Sequence, residues 1–444
     1  MLGRDDTEKL RMRLRLFASV GIIAILAISI GCLSTSSSSS STSSGARLLY
    51  VTTLGNTAIS SFGVDDNTGL ISRTGGTAAS GTNPIAMAVA PNGGTAFVLN
   101  DAGSAQNGTV SAFTLGSDGT IKAAGTPQSV GLNPKALLID PSGHFLFVAN
   151  QGTFVACSPG TSSGGVVGSV SVFAIQSATL TPVGNPAEIC LPTAVNTPGS
   201  GNFMGTGPAG IALTPDGKFL YVANQFNNTV TAFSVDSGGN LTQIAGSAQG
   251  SASPQVQGSP FATGTAPTAL AVTPDGAFLY VANFGSNNVS AFAICGQVVT
   301  SCANASSPDG SLTQVTGSPF SAGVGPVALV TSPAVTYLNA GNPLAYLYVV
   351  DQNGNQISEF QIGTSSGRLS PLADVSIATG PSPVSIVSHF GNTTGTTTTD
   401  FVYVANQGGS SISTYAFDVS TGVLRELQAP TAVNASQPTA LGIQ

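Results

Sequence analysis

Tryptophan is absent from the 444 residues, charged side chains make up only 7% of them, and histidine occurs twice. Each scarcity excludes something. So few Lys, Arg, Asp and Glu leave no charged face for long amphipathic helices, and no Leu-rich helical period replaces it. Twelve basic residues face nineteen acidic ones, and five of the basic ones (Arg4, Lys9, Arg11, Arg13, Arg15) crowd the first fifteen positions. The rest of the chain is therefore more acidic than the net charge of −7 implies. Nucleic acid is excluded as a partner on that ground, because phosphate binding needs clustered positive charge. The cysteines beyond Cys32 show no CxxC spacing and no neighbouring His, so neither a metal nor another cofactor is expected.

What remains is rich in glycine, with 55 residues, and 41% hydrophobic, enough for a large core. Short runs of Val, Thr, Tyr, Phe and Ala alternate with clusters of Gly, Asn, Asp and Pro, the pattern of many short strands joined by tight turns. The N-terminus differs. Its basic residues precede the apolar run Leu16 to Ile30, which is short for a membrane span of ~20 residues. Gly31-Cys32 follows, and the whole resembles a bacterial lipoprotein signal, in which the Cys is lipidated. Ser29 departs from the Leu that such signals usually carry. Residues 33–47 are a Ser-rich stretch that cannot bury a core and reads as a tether. The expected organisation is an export signal over 1–32, a tether over 33–47 and a folded unit over 48–444. The expected address is the extracytoplasmic side of a bacterial cell envelope, with a membrane reached through a lipid anchor.

The folded unit repeats. "TPDGKFLYVANQFNNTVTAFSV" (Thr214 to Val235) returns as "TPDGAFLYVANFGSNNVSAFAI" (Thr273 to Ile294), and its aromatic-Val core occurs at Tyr50, Phe97, Phe147, Tyr221, Tyr280, Tyr348 and Tyr403. Strand-forming repeats of this length are propeller blades. The best copy divides into four strands, "AGIALT", "FLYVAN", "TVTAFSV" and "LTQIAG", turned by PDG and SGGN. The first copy begins with "LLYVTT" at Leu48 and lacks a first strand, while the chain finishes on "QPTALGIQ". The prediction is all-β: a seven-bladed β-propeller of four-stranded antiparallel blades, its ring closed by the C-terminal strand.

This phrasing resembles the lactonase-type, 6-phosphogluconolactonase-like seven-bladed propellers and the related YVTN-repeat surface proteins, from Leu48 to Gln444. The missing Trp separates it from WD-repeat and quinoprotein propellers. The resemblance implies an axial site on the face where strands 2 and 3 join, here called the top. Family members often place a His-Pro-His phrase there. This chain has Gly207-Pro208-Ala209, so the family's acid–base chemistry does not carry over. The equivalent phrases elsewhere include Asn83-Pro84-Ile85 and Asn133-Pro134-Lys135, and Lys135 is the only charge among them.

Asn83, Asn133 and Lys135 are candidate ligand-binding residues. Lys135, Asp101 and Glu188 are the candidates for catalysis, with no base visible beside Lys135 in the sequence. His144 and His389 fall near bottom turns and read as solvated. The recurring Asn at the end of strand 2 (Asn100, Asn150, Asn224, Asn283, Asn406, with Asp351 in blade 6) reads as a structural cap of the turn. Insertions on the top of blades 3 to 5 carry Phe154, Phe203, Phe226 and Phe284, which could stack on a sugar or an envelope protein. Four cysteines in an exported chain favour two disulfides, Cys157–Cys190 and Cys295–Cys302. The expected role is a ligand- or protein-binding envelope module. The alternative is a lactone hydrolase of the 6-phosphogluconolactonase type, a carboxylic-ester hydrolase of carbohydrate metabolism.

Overall fold

The computed structural model describes residues 47–103, 106–152, 156–157, 168–192, 203–244, 259–296, 309–333, 344–389, 400–418, 420–433 and 436–444. Every regular element among them is a β-strand. Seven sheets have the order inner strand 1, then 2, 3 and 4, and all their neighbouring strands are antiparallel. Blade 4 is representative: Pro208–Leu213, Phe219–Asn224, Thr229–Val235 and Leu241–Gln243. Blade 1 is composite. Its second strand, Arg47–Thr53, pairs with Pro438–Ile443, so the chain end supplies the missing inner strand and closes the ring.

The repeat builds each blade the same way for physical reasons. Strand 2 alternates between two buried faces. In blade 4, Leu220 and Val222 join Phe147 and Ala149 of blade 3, while Tyr221 and Ala223 join Leu279 and Val281 of blade 5. A tyrosine on this strand reaches the next blade: the Tyr280 hydroxyl donates to the Gly367 carbonyl at 2.9 Å. The same bond joins Tyr221 to Gly310, Tyr348 to Gly422 and Tyr403 to Gly69 at 2.5–3.0 Å. Each acceptor glycine sits in a strand 3–4 turn with positive φ, pressed on an aromatic ring that a Cβ would strike. For Gly367 that ring is Phe278, and the added atom would lie 2.3 Å from it.

The asparagine closing strand 2 is buried and donates to a hydroxyl on strand 3, and in blade 3 Asn150 Oδ1 also accepts from the Gly131 N–H at 2.9 Å. Asn224 donates to Thr231 Oγ1 at 2.8 Å, Asn283 to Ser290 Oγ at 2.9 Å and Asn406 to Ser413 Oγ at 2.9 Å. In blade 6 the bond reverses: Ser358 donates to Asp351 Oδ2 at 2.6 Å. Burial first, opposed by these hydrogen bonds, pushes the Asp351 carboxyl up to about 6.

The disulfide expectations are corrected. Ala156–Cys157, Phe203–Gly205 and Cys190–Pro192 form an accessory sheet in which Phe203–Gly205 runs between the two cysteine strands. Strands two places apart are separated by ~9.5 Å, beyond the ~7 Å that a disulfide spans between Cα atoms. The register therefore sets the Cys157 and Cys190 backbones too far apart for the expected pair. Cys295 is a free, buried thiol, its sulfur 3.9 Å from Thr313 Oγ1. The Cys295–Cys302 bond is thus absent, and Cys302 lies outside the described residues.

Candidate functional site

The top mouth of the ring is built by a backbone device repeated in all seven blades. The residue after strand 2 donates its N–H to the carbonyl just before the inner-strand proline: Asp101 to Asn83, Gln151 to Asn133, Gln225 to Gly207, Phe284 to Ala266, Gln352 to Gly325, Gln407 to Ser382 and Leu54 to Gln437, at 2.8–3.0 Å. Six of the seven acceptor residues have positive φ, from +49° at Asn83 to +71° at Gly325. Asn tolerates that region because its short amide bonds locally, and Gly because it has no Cβ. The residue after the proline then falls at a register shift, as between Pro134 and Ala136, so Lys135 leaves the regular pleat.

Those bonds bring side chains of blades 2, 3 and 4 together at the mouth. Sequence reasoning missed most of them, although the signal was present as the position following each strand-2 asparagine. Gln151 and Gln225 are joined, Gln151 Nε2 donating to Gln225 Oε1 at 2.7 Å, and Asn133 Nδ2 donates to Gln151 Oε1 at 2.7 Å. An ordered chain of amides therefore runs from blade 3 to blade 4.

Lys135 and Asp101 meet here, although they belong to different blades. Nζ lies 4.0 Å from Asp101 Oδ2, with side-chain exposures of 11% and 12%. Asp101 is held by its own turn, Oδ1 accepting from the Gly103 N–H at 2.9 Å. Burial drives the Lys135 ammonium below the ordinary lysine range, and the Asp101 charge opposes that. The structure thus brings together two of the three candidates for catalysis, Lys135 and Asp101.

Glu188 is not part of this group. Its strand, Ala187–Glu188, pairs with Ser169–Gln176 on the outer side of blade 3, three strands out from Pro134–Ile139. Phe226 is 38% exposed and its ring covers Gly207, where a Cβ would lie 2.4 Å from it. Phe284 packs against the Val327 cluster with its ring edge over Gly325. Phe203 lies in the central strand of the accessory sheet, and Phe154 lies outside the described residues.

The histidines are on the bottom face. His144 is exposed, its Nδ1 2.8 Å from Ser142 Oγ. Ser142 also bonds Asp140, which is engaged in its turn by the Phe145 N–H at 2.6 Å. His389 differs from the solvated reading. It ends the inner strand of blade 7, half-buried, and burial first, then Arg47, push it down to about 4 against the pull of Asp66.

The profile of the family described as "Lactonase, 7-bladed beta-propeller" matches residues 48–188 and 168–297. Three solved structures align with a TM-score of 0.62 each. They are a candidate 6-phosphogluconolactonase of Bacteroides uniformis ATCC 8492 (18% identity, 90% of this chain and 100% of that one), one of Bacteroides fragilis NCTC 9343 (20%, 91% and 100%) and the periplasmic gluconolactonase PpgL of Pseudomonas aeruginosa (19%, 89% and 98%). No curated protein matches the chain. At these identities the structural likeness speaks for the fold.

Proposed function

The chain belongs to the lactonase family of seven-bladed β-propellers, and on that premise we propose that it is an exported, lipid-anchored envelope protein whose axial mouth binds a ligand without hydrolysing a lactone. One observation carries the reading. The mouth offers Gly207 and Ala209 where the family often places imidazoles, and it carries a short chain of neutral amides, Asn133, Gln151 and Gln225, with a single ammonium–carboxylate pair. Lactone hydrolysis needs a positioned base and a stabilised oxyanion, and the family's base is missing. Export and anchoring rest on the basic and apolar N-terminus leading to Gly31-Cys32 and on the Ser-rich stretch after it.

The second reading, a lactone hydrolase, is favoured by the Lys135–Asp101 contact. Asp101 could take a proton from water while Lys135 Nζ meets the developing oxyanion. The deciding experiment is hydrolysis of 6-phosphogluconolactone and of a neutral sugar lactone by residues 45–444, beside Lys135→Ala. The expected rate equals that of buffer for both proteins. A rate well above buffer that falls in Lys135→Ala would establish the hydrolase and displace the binding module. Anchoring is tested separately: metabolic acyl labelling of the full chain should be lost in Cys32→Ala.

A further inference from the structure

The Lys135–Asp101 pair has an unusual geometry for a buried lysine beside a half-buried aspartate. At 4.0 Å it is too long for a charge-assisted hydrogen bond, which closes to ~2.8 Å. Among the described residues Nζ has no hydrogen-bond partner, so its three donors are unspent within a largely buried site. Asp101 cannot relax toward it freely, because its N–H and its Oδ1 are both engaged, to Asn83 and Gly103. Neither Nζ nor Asp101 Oδ2 is among the fully buried unpaired atoms, so the gap between them is open to a bridging group that donates to one and accepts from the other.

We propose that the pair is a clamp for a hydroxyl of a neutral polyol, so that the ligand of the mouth is an uncharged sugar or cyclitol. The proposal rests on the reading that the mouth binds a ligand, and deepens it. A hydroxyl oxygen can stand ~2.8 Å from both Nζ and Oδ2, accepting from the ammonium and donating to the carboxylate. Water can do the same, but a polyol adds a second hydroxyl on the adjacent carbon. The amide chain from Asn133 through Gln151 to Gln225 borders the lysine with further donors and acceptors. Further round the ring on the same side, Phe226 follows Gln225 in blade 4 and Phe284 takes the equivalent of the glutamine position in blade 5. A sugar ring has one face of hydroxyl edges and one of C–H groups, and aromatic carbon suits the second.

Charge selects against the alternatives. Lys135 is the only charge among the seven positions after the inner prolines, and Asp101 already balances it. A sugar acid or phosphosugar would bring its anion beside the Asp101 carboxylate with no second cation to receive it. An amino acid would match both signs but would leave the amide chain without hydroxyls to bind.

The test is calorimetric titration of the full chain in detergent with galactose, glucose and myo-inositol, beside gluconate, glucose 6-phosphate and a mixture of amino acids. At least one neutral polyol is expected to bind, with an affinity that holds from low to high salt. An anion held by the lysine would weaken instead as salt screens it. Asp101→Asn and Lys135→Met are each expected to weaken the neutral ligand about tenfold, as loss of a buried charged hydrogen bond does. The salt titration needs no variant, so it stands even if a substitution perturbs folding. Gluconate or glucose 6-phosphate binding more tightly than every polyol, in a Lys135-dependent way, overturns the neutral-ligand inference and leaves the binding mouth intact. The same outcome with amino acids does likewise. Polyol binding untouched by either variant, or no binding by any probe, overturns both.

Discussion

Two arcs of the ring are joined differently. From blade 4 round to blade 1, each joint carries a tyrosine hydroxyl bonded to the carbonyl of the next blade's turn glycine. At the joints from blade 2 to 3 and from blade 3 to 4 the same positions hold Phe97 and Phe147, which have no hydroxyl to give. Both unstapled joints border a space. A cavity of ≈ 140 Å³ lies beside Val110, Ala112, Ala178 and Leu180, and a cleft of ≈ 550 Å³ opens over Phe145, Phe147 and Val235. The packing motif survives at the second joint, since a Cβ on Gly239 would still strike the Phe145 ring at 2.7 Å. The aromatic ring therefore supplies the seat at both kinds of joint, and the tyrosine hydroxyl adds a hydrogen bond to it. Blade 1 solves the same problem in another way: Ser61 Oγ takes the Gly119 carbonyl at 2.7 Å, and Tyr50 turns to Gln444 at 3.3 Å.

The largest expected effect breaks both arcs at once. Deleting Gln437–Gln444 removes an inner strand whose Ala440 and Leu441 are fully buried, and bares the edge of Arg47–Thr53. It should cost more than about 4 kcal/mol. An unchanged melting temperature would mean that the joints hold without ring closure.

Next comes the uniformity of the stapled arc. Asp351 replaces the recurring asparagine there, with one carboxylate oxygen buried and without a partner. Its carboxyl is raised to about 6, so the folded state binds the proton more tightly than the unfolded chain. Its contribution is present at low pH and is lost as pH rises from about 4 through about 6. Asp351→Asn should therefore stabilise the protein at pH 7.5 by about 2–3 kcal/mol, with little gain at pH 4. His389 acts with the opposite sign. Lowered to about 4, it costs stability as pH falls from about 6.5 toward about 4. Melting curves of the asparagine variant should accordingly rise with pH through this window, where the parent's are flatter. A gain that does not depend on pH would show that Asp351 is not the titrating group.

The smallest effects test the staple itself. Tyr280→Phe should lose about 1 kcal/mol, because the Gly367 carbonyl is left without its donor. Phe147→Tyr should gain about 0.5 kcal/mol if the new hydroxyl reaches Gly239. Denaturant midpoints measure both. A loss in Phe147→Tyr would mean that the cleft is set by backbone spacing and not by the missing hydroxyl.

The ring was readable from sequence because its constraints repeat. Seven aromatic-Val cores, an orphan "LLYVTT" and a spare "PTALGI" leave one way to close, and Thr53 to Arg47 beside Pro438 to Ile443 is that way. The site was readable only in part. Lys135 stood out as the lone charge after a proline, but Asp101 sits in another blade, and its approach depends on a lysine leaning across a joint. The cysteines misled for a related reason. An even count in an exported chain suggests pairs, yet the local pairing of Phe203–Gly205 between the two strands decides the distance. Gln151 and Gln225 carried no chemical signature alone and became meaningful only once bonded to each other and to Asn133.

Strand 2 of every blade runs from the bottom face to the top, and in blade 1 that strand begins at Arg47, paired to Asp66 at 3.3 Å in the bottom turns. Whatever precedes Arg47 therefore joins the ring on the face opposite the mouth. An attachment at that end thus leaves the axial mouth clear of its own anchor point.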